Sequence, residues 1–193
     1  KATVQYELKI SSLGGTSDHD GAAMVLPMIH FAPGTPIEVV ETEYPVMVTR
    51  YDVWTDSAGA GQQRGGIGYV REYCFLTDCI LTTRTSNHRN AAWGLAGGKG
   101  PKPSCTTIRD ADGTTEEMEV METRHVEAGV SLTLSQSGGG GYGNPYARSS
   151  ELVLQDVRDG YVSTKAAIRD YGIVFANDGQ VDVAATDKRR SQS

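Results

Sequence analysis

Long apolar runs are missing from this sequence. Nowhere do about 18 apolar residues follow one another, so no membrane-spanning helix is expected. No positively charged start is followed by an apolar stretch, so no secretory signal is expected. Cysteine is scarce, at 3 of 193 residues, and the odd count without secretory features reads as reduced thiols in a cytoplasmic protein. A basic surface is missing too: the net charge is −6, and the one basic cluster is Lys188, Arg189 and Arg190 near the end. Nucleic acid is therefore not an expected partner. Serines are abundant, yet no G-x-S-x-G elbow singles one out as a nucleophile, which argues against a free-standing hydrolase.

Glycine, by contrast, is plentiful, with 23 residues, while apolar residues make up 38%. That balance suits short strands, many turns and close backbone approaches. Val4 to Ile10 alternates as a strand would, and Ala22 to Ile29 is a short apolar run closed by Ala32, Pro33 and Gly34. Ile37 to Trp54 reads as an extended pair of strands with Glu38, Glu41 and Glu43 interleaved, and Pro45 fits an edge or a kink. A glycine-rich loop from Thr55 to Gly68 follows. Tyr69–Leu76 and Ile80–Thr85 then read as strands, and Ala91–Pro103 as a second glycine- and proline-rich connection. Met118–Met121, Val126–Val130 and Leu132–Leu134 complete the β region, with Asp112 and Gly113 marking a hairpin turn.

After Gly138–Gly141 the periodicity becomes helical. Ser149 or Ser150 is placed to cap a helix carrying Leu152, Val153 and Val157 and ending at Gly160. Ser163 is placed to cap a second helix, with Ala166, Ala167 and Ile168 inward and Gly172 as its stop; Ile173–Phe175 resumes as a strand. The expected fold class is α+β, predominantly β, with a small C-terminal helical segment. Its expected divisions are a β-rich region over 1–148, two short helices and a strand over 149–185, and a polar tail over 186–193.

Four ordered stretches carry a resemblance: TPIEVVETEYPVMVTRYDVWTDSAGAGQQRGGIGYVREYCFL from Thr35 to Leu76, WGLAGG from Trp93 to Gly98, GGGGYGNP from Gly138 to Pro145, and VLQDVRDGYVSTKAAIRDYGIVF from Val153 to Phe175. Together they resemble the C-terminal portion of the hydantoinase B/oxoprolinase family, which includes N-methylhydantoinase, 5-oxoprolinase and the acetone and acetophenone carboxylase large subunits. The resemblance implies a subunit or fragment that acts with the remainder of a hydantoinase B-type subunit and with a hydantoinase A-type, actin-like ATPase subunit. It implies ATP and Mg on that partner, used to open a cyclic amide, lactam or hydantoin or to carboxylate a ketone. A divalent metal in the complex is left open, and none is placed on this chain. One departure stands out. Many hydantoinase-type members carry histidines just before the segment equivalent to Thr35 and Pro36, where this sequence has Leu26 and Met28 with His30 nearby.

Asp18, His19 and Asp20 set an imidazole between two carboxylates, a pattern suited to acid–base work or metal binding, or simply a polar turn. Arg64, in a glycine-rich loop, suits bidentate recognition of carboxylate, bicarbonate or phosphate; the alternative is a salt bridge to a partner carboxylate or to Glu72. The run Gly138–Gly141 lacks the lysine of a P-loop, so a structural loop is preferred over a phosphate cradle. Cys74, Cys79, His88 and Cys105 match no marked zinc spacing. Trp93, Tyr69 and Tyr73 read as core or interface aromatics. The competing function class is a non-catalytic assembly module.

Overall fold

Short strands separated by tight turns pair into two antiparallel sheets in the computed structural model, which describes residues 3–25, 34–176 and 179–192. The five-stranded sheet runs in the order β1 (Val46–Val53), β2 (Tyr69–Phe75), β7 (Ser131–Gln136), β4 (Cys105–Arg109), β5 (Thr115–Glu117). A second sheet pairs β3 (Cys79–Arg84) with β6 (Met121–Val126). Four helices complete the described residues: α1 (Ile37–Glu43), α2 (Ser150–Arg158), α3 (Thr164–Tyr171) and α4 (Val183–Ser191). The α+β, predominantly β class expected from the sequence is what is found. No helix among the described residues is long and apolar enough to cross a membrane.

Side chains alternate along a strand. Tyr73 and Phe75 of β2 therefore share a face with Leu132 and Leu134 of β7 and Ile108 of β4. Val40 of α1, Val126 of β6 and Met118, between β5 and β6, close over that face, with Cys79 and Leu81 of β3 packed alongside. The other face is polar and half-exposed, as one face of an antiparallel sheet often is. Its centre is Glu72, which accepts hydrogen bonds from Thr49 at 2.7 Å and Thr133 at 3.1 Å and pairs with Arg109 at 3.6 Å.

Several sequence expectations need correction. Ile37–Glu43 is helical, and only Val46–Val53 of that expected strand pair is extended. Host β-propensity differences span only about 1 kcal/mol, whereas burying one valine is worth roughly 1.5–3 kcal/mol. Val40, 1% exposed, contributes that burial only from a helix that starts at Pro36 and turns at Tyr44. Pro45 behaves as expected. The residue before it is forced extended, which ends α1, and β1 follows as an edge strand. Cys105–Arg109 is a strand that the alternation does not announce, and its hairpin with β5 turns at Asp112 and Gly113 as the sequence indicates. Val126–Val130 is mostly the turn between β6 and β7, with Gly129 at φ +89°.

Toward the C-terminus, Ser149 caps α2 and Ser163 caps α3 as expected, and Gly172 ends α3 in the left-handed region at φ +69°. Val153, Val162, Ala166, Ala167, Tyr171 and Ile173 form a second apolar cluster there. Ile168, expected inward, is 37% exposed. Ile173–Phe175 is not a strand; Phe175 makes a single bridge to Val181. The expected polar tail from residue 186 is helical and docked. Thr186 is fully buried and accepts from the Val174 N–H at 3.0 Å, and Arg190 donates to the carbonyls of Tyr171 and Arg148. Val4–Ile10 joins no ladder with a described strand. Leu26, Met28 and His30, with half of the Ala22–Ile29 run, lie outside the described residues.

Candidate functional site

Three of the four stretches behind the family resemblance meet in one backbone-on-backbone layer. Gly59 N–H donates to the Gly139 carbonyl, Gly139 N–H to Gly66, Gly141 N–H to Lys99 and Gly15 N–H to Gly140, each at 2.9 Å. Gly139 shows why the layer needs glycine: a Cβ built there would lie 1.8 Å from the Leu13 carbonyl oxygen. The reason is proximity rather than φ > 0, because none of Gly138–Gly141 has a positive φ. The layer does not fit a phosphate cradle, since the N–H groups of Gly139 and Gly141 are already taken by carbonyls.

Against this layer sits a buried network of two arginines and two aspartates. Arg148 follows the short turn Pro145–Ala147 and is 2% exposed. Its guanidinium grips Asp20 bidentately, 2.7 Å to each carboxylate oxygen, and reaches Asp156 on α2 at 2.9 Å. Arg64 donates its backbone N–H to Asp20 at 2.7 Å and its Nε–H to Asp156 at 3.1 Å, while the Tyr161 ring lies 5.3 Å from the guanidinium carbon. Removing a charge from water costs several kcal/mol. That penalty is offset here by charge-assisted, partly bidentate hydrogen bonds between equal numbers of opposite charges. The network ties the 13–22 loop, the 57–68 loop and α2 into one unit.

The structure separates the members of the Asp18–His19–Asp20 run. Asp20 turns inward to Arg148. Asp18 is fully exposed, and hydrogen bonds from Ser17 and Thr16 hold its carboxyl below the usual range. His19 is exposed, with Nδ1 3.2 Å from the Asp20 carbonyl. Arg64 does not reach Glu72, the sequence-level alternative partner; it is committed to Asp156 and Asp20. Sequence reasoning misses Arg148 and Asp156. Asp156 does leave a signal, because it falls three residues after Val153, on the buried stripe of α2.

Cys74, Cys79 and Cys105 lie on three different strands, and His88 is hydrogen-bonded to Thr106 and Ser86. Among the described residues no group of three His, Cys, Asp or Glu side chains is placed to hold a metal. Trp93 is 78% exposed, whereas Tyr69 and Tyr73 are buried core residues.

Asp20 supplies a test by pH. Burial raises its carboxyl pKa, but the hydrogen bonds and charge of Arg148, with help from Arg64, outweigh burial and hold it below the usual range. A depressed carboxyl stabilises the fold fully above the unfolded value of about 4. That contribution is lost as pH falls through the lower folded value. Circular-dichroism melts should therefore show Asp20→Asn less stable than the parent chain at pH 7, with the gap closing below about pH 4.

Comparisons with known proteins agree with this architecture. The sequence profile described as hydantoinase B/oxoprolinase matches residues 1–145. The B component of a putative D-/L-hydantoinase from Pseudomonas sp. (strain NS671) is 32% identical over 97% of this chain and 32% of its own length. The crystal structure of ATP-dependent caprolactamase from Pseudomonas jessenii superposes with a TM-score of 0.83 at 31% identity, over 94% of this chain and 32% of that one. A nucleotide-free acetone carboxylase structure shares the fold, with a TM-score of 0.82 at 20% identity over 94% of this chain and 29% of that one. The chain spans about a third of the length of such curated relatives.

Proposed function

Because the chain belongs to the hydantoinase B/oxoprolinase family, we propose that it is the C-terminal part of the large subunit of an ATP-dependent complex. That complex opens a cyclic amide, lactam or hydantoin, or carboxylates a ketone. The chain completes the substrate chamber and docks an actin-like, hydantoinase A-type ATPase subunit, where ATP and Mg are handled. The observation that carries this reading is the asymmetry of coverage: 97% of this chain matches a hydantoinase subunit, but only 32% of that subunit is matched in return.

Within this reading the roles divide by exposure. Asp20 and Arg64 are positioning residues, spent on Arg148 and Asp156, and they hold the loop that presents His19. His19 is the accessible acid–base group beside them, with no described residue on its Nε2. General acid–base catalysis contributes about 10²–10⁴-fold. His19→Ala should therefore lower kcat of the assembled complex by at least about a hundredfold and leave the thermal midpoint of the isolated chain unchanged.

The second reading is a non-catalytic assembly module, and the mutual saturation of Asp20, Arg64, Arg148 and Asp156 favours it. Full turnover by the His19→Ala complex would decide for this module.

A further inference from the structure

The N-terminal segment is built inside out. Over residues 4–9 exposure alternates with a period of two, and the even positions Val4, Tyr6 and Leu8 are 85%, 85% and 58% exposed. The odd positions carry the charges, and these face in. Tyr73 O–H donates to Glu7 at 2.5 Å, Lys9 Nζ pairs with Glu7 at 2.9 Å, and Lys9 also lies 5.5 Å from the Tyr73 ring centre. Burial alone would select the opposite register, with valine, tyrosine and leucine against the sheet.

Arg71 explains why the register does not flip. It is 4% exposed and held between the rings of Tyr51 and Tyr73, at 5.2 and 5.0 Å from their centres. Among the described residues its Nε and Nη2 have no hydrogen-bond acceptor, and its carboxylate partner is Glu7, at 3.6 Å. Moving the segment by one residue would take Glu7 away and leave a buried guanidinium without a counter-charge, the costlier outcome. Ser12 fixes the far end, donating to the Ile67 carbonyl at 2.5 Å. The apolar edge is thus locked outward, as a stripe of three large side chains.

We propose that Val4, Tyr6 and Leu8 form a docking surface for the part of a hydantoinase B-type subunit that this chain does not contain. The inference rests on the family reading above and adds the surface to it. The occupant follows from length. In the hydantoinase and caprolactamase relatives this chain corresponds to 32% of one polypeptide, so about two thirds of that polypeptide lies outside the matched part and is joined to it covalently. The segment also forms no ladder with a described strand, which leaves its main chain available to a neighbour. A second copy of this chain fits less well. A stable dimer buries about 800 Å² per partner, more than three side chains supply.

The test co-expresses the tagged chain with the remaining part of the hydantoinase B-type subunit as a separate polypeptide and measures what is captured. The parent chain should retain that polypeptide. Tyr6→Ser/Leu8→Ser should retain at least tenfold less with an unchanged melting midpoint, since both side chains point away from the core, and Leu8→Met should retain as much as the parent. Equal retention by the double variant overturns the docking surface and leaves the family reading standing. A parent chain that runs as a dimer, with the double variant running as a monomer, overturns it in favour of a second copy. Failure of the parent chain to capture the polypeptide overturns the proposed assembly with the rest of such a subunit, and the surface with it.

Discussion

Arg148→Met should lower the thermal midpoint of the chain by roughly 6–20 °C. Arg148 has its side chain 1% exposed and touches both carboxylates of the network, Asp20 and Asp156. Removing it leaves two carboxylates facing a buried space with Arg64 alone to compensate. Breaking a buried ion pair from one side typically costs about 3–5 kcal/mol. For a domain of this size each kcal/mol shifts the midpoint by about 2–4 °C. Lysine is not an adequate replacement, because one ammonium group cannot repeat a bidentate grip on Asp20 and also reach Asp156. Asp156→Asn in the Arg148→Met background should recover part of the loss, since it removes one of the stranded charges. A melt in which Arg148→Met matches the parent chain would show that the network contributes nothing to stability.

Gly139→Ala should be as damaging by a different route. Its added methyl would fall 1.8 Å from the Leu13 carbonyl oxygen and 2.3 Å from the Leu13 carbonyl carbon, both main-chain atoms. No rotamer change relieves such a clash. The backbone layer has to part, breaking hydrogen bonds such as those of Gly139 to Gly66 and of Gly59 to Gly139. Overpacking costs about 1–3 kcal/mol when side chains can yield, and here the cost should exceed that range. Gly129→Ala is the matched control. Gly129 sits at φ +89°, and a methyl added there meets nothing within 4 Å. Its cost is limited to left-handed backbone strain of about 1–2 kcal/mol. Urea denaturation of the pair should show Gly139→Ala far less stable than Gly129→Ala, and equal midpoints would refute the close-packed layer.

These two positions also show what can be read from sequence. The glycine run is visible, and so is its preference for a structural role, because no lysine or strand–helix context supports a phosphate loop. Its packing against Leu13, Gly59 and Gly66 is not visible, since contacts between distant backbones leave no local periodicity. The capping serines, Ser149 and Ser163, and the left-handed stop at Gly172 are legible because their causes lie within a few residues. The helix at Ile37–Glu43 reads as strand because its β-branched residues favour extended structure, and burial of Val40 in the sheet's apolar core reverses that preference. Of the candidate site, Asp20 and Arg64 stand out in the sequence, where a ligand site, a polar turn and a salt bridge to another carboxylate are all open readings. Their true partners, Arg148 and Asp156, are 128 and 92 residues away respectively, and nothing near them in sequence predicts the pairing.

The most direct test of the central proposal compares the purified chain with the same chain assembled with the rest of a hydantoinase B-type subunit and its ATPase partner. ATP-dependent turnover is measured on a lactam, a hydantoin and a ketone with bicarbonate. No turnover is expected from the chain alone, and turnover of at least one of these substrates is expected from the assembly. Turnover by the isolated chain would contradict the proposal.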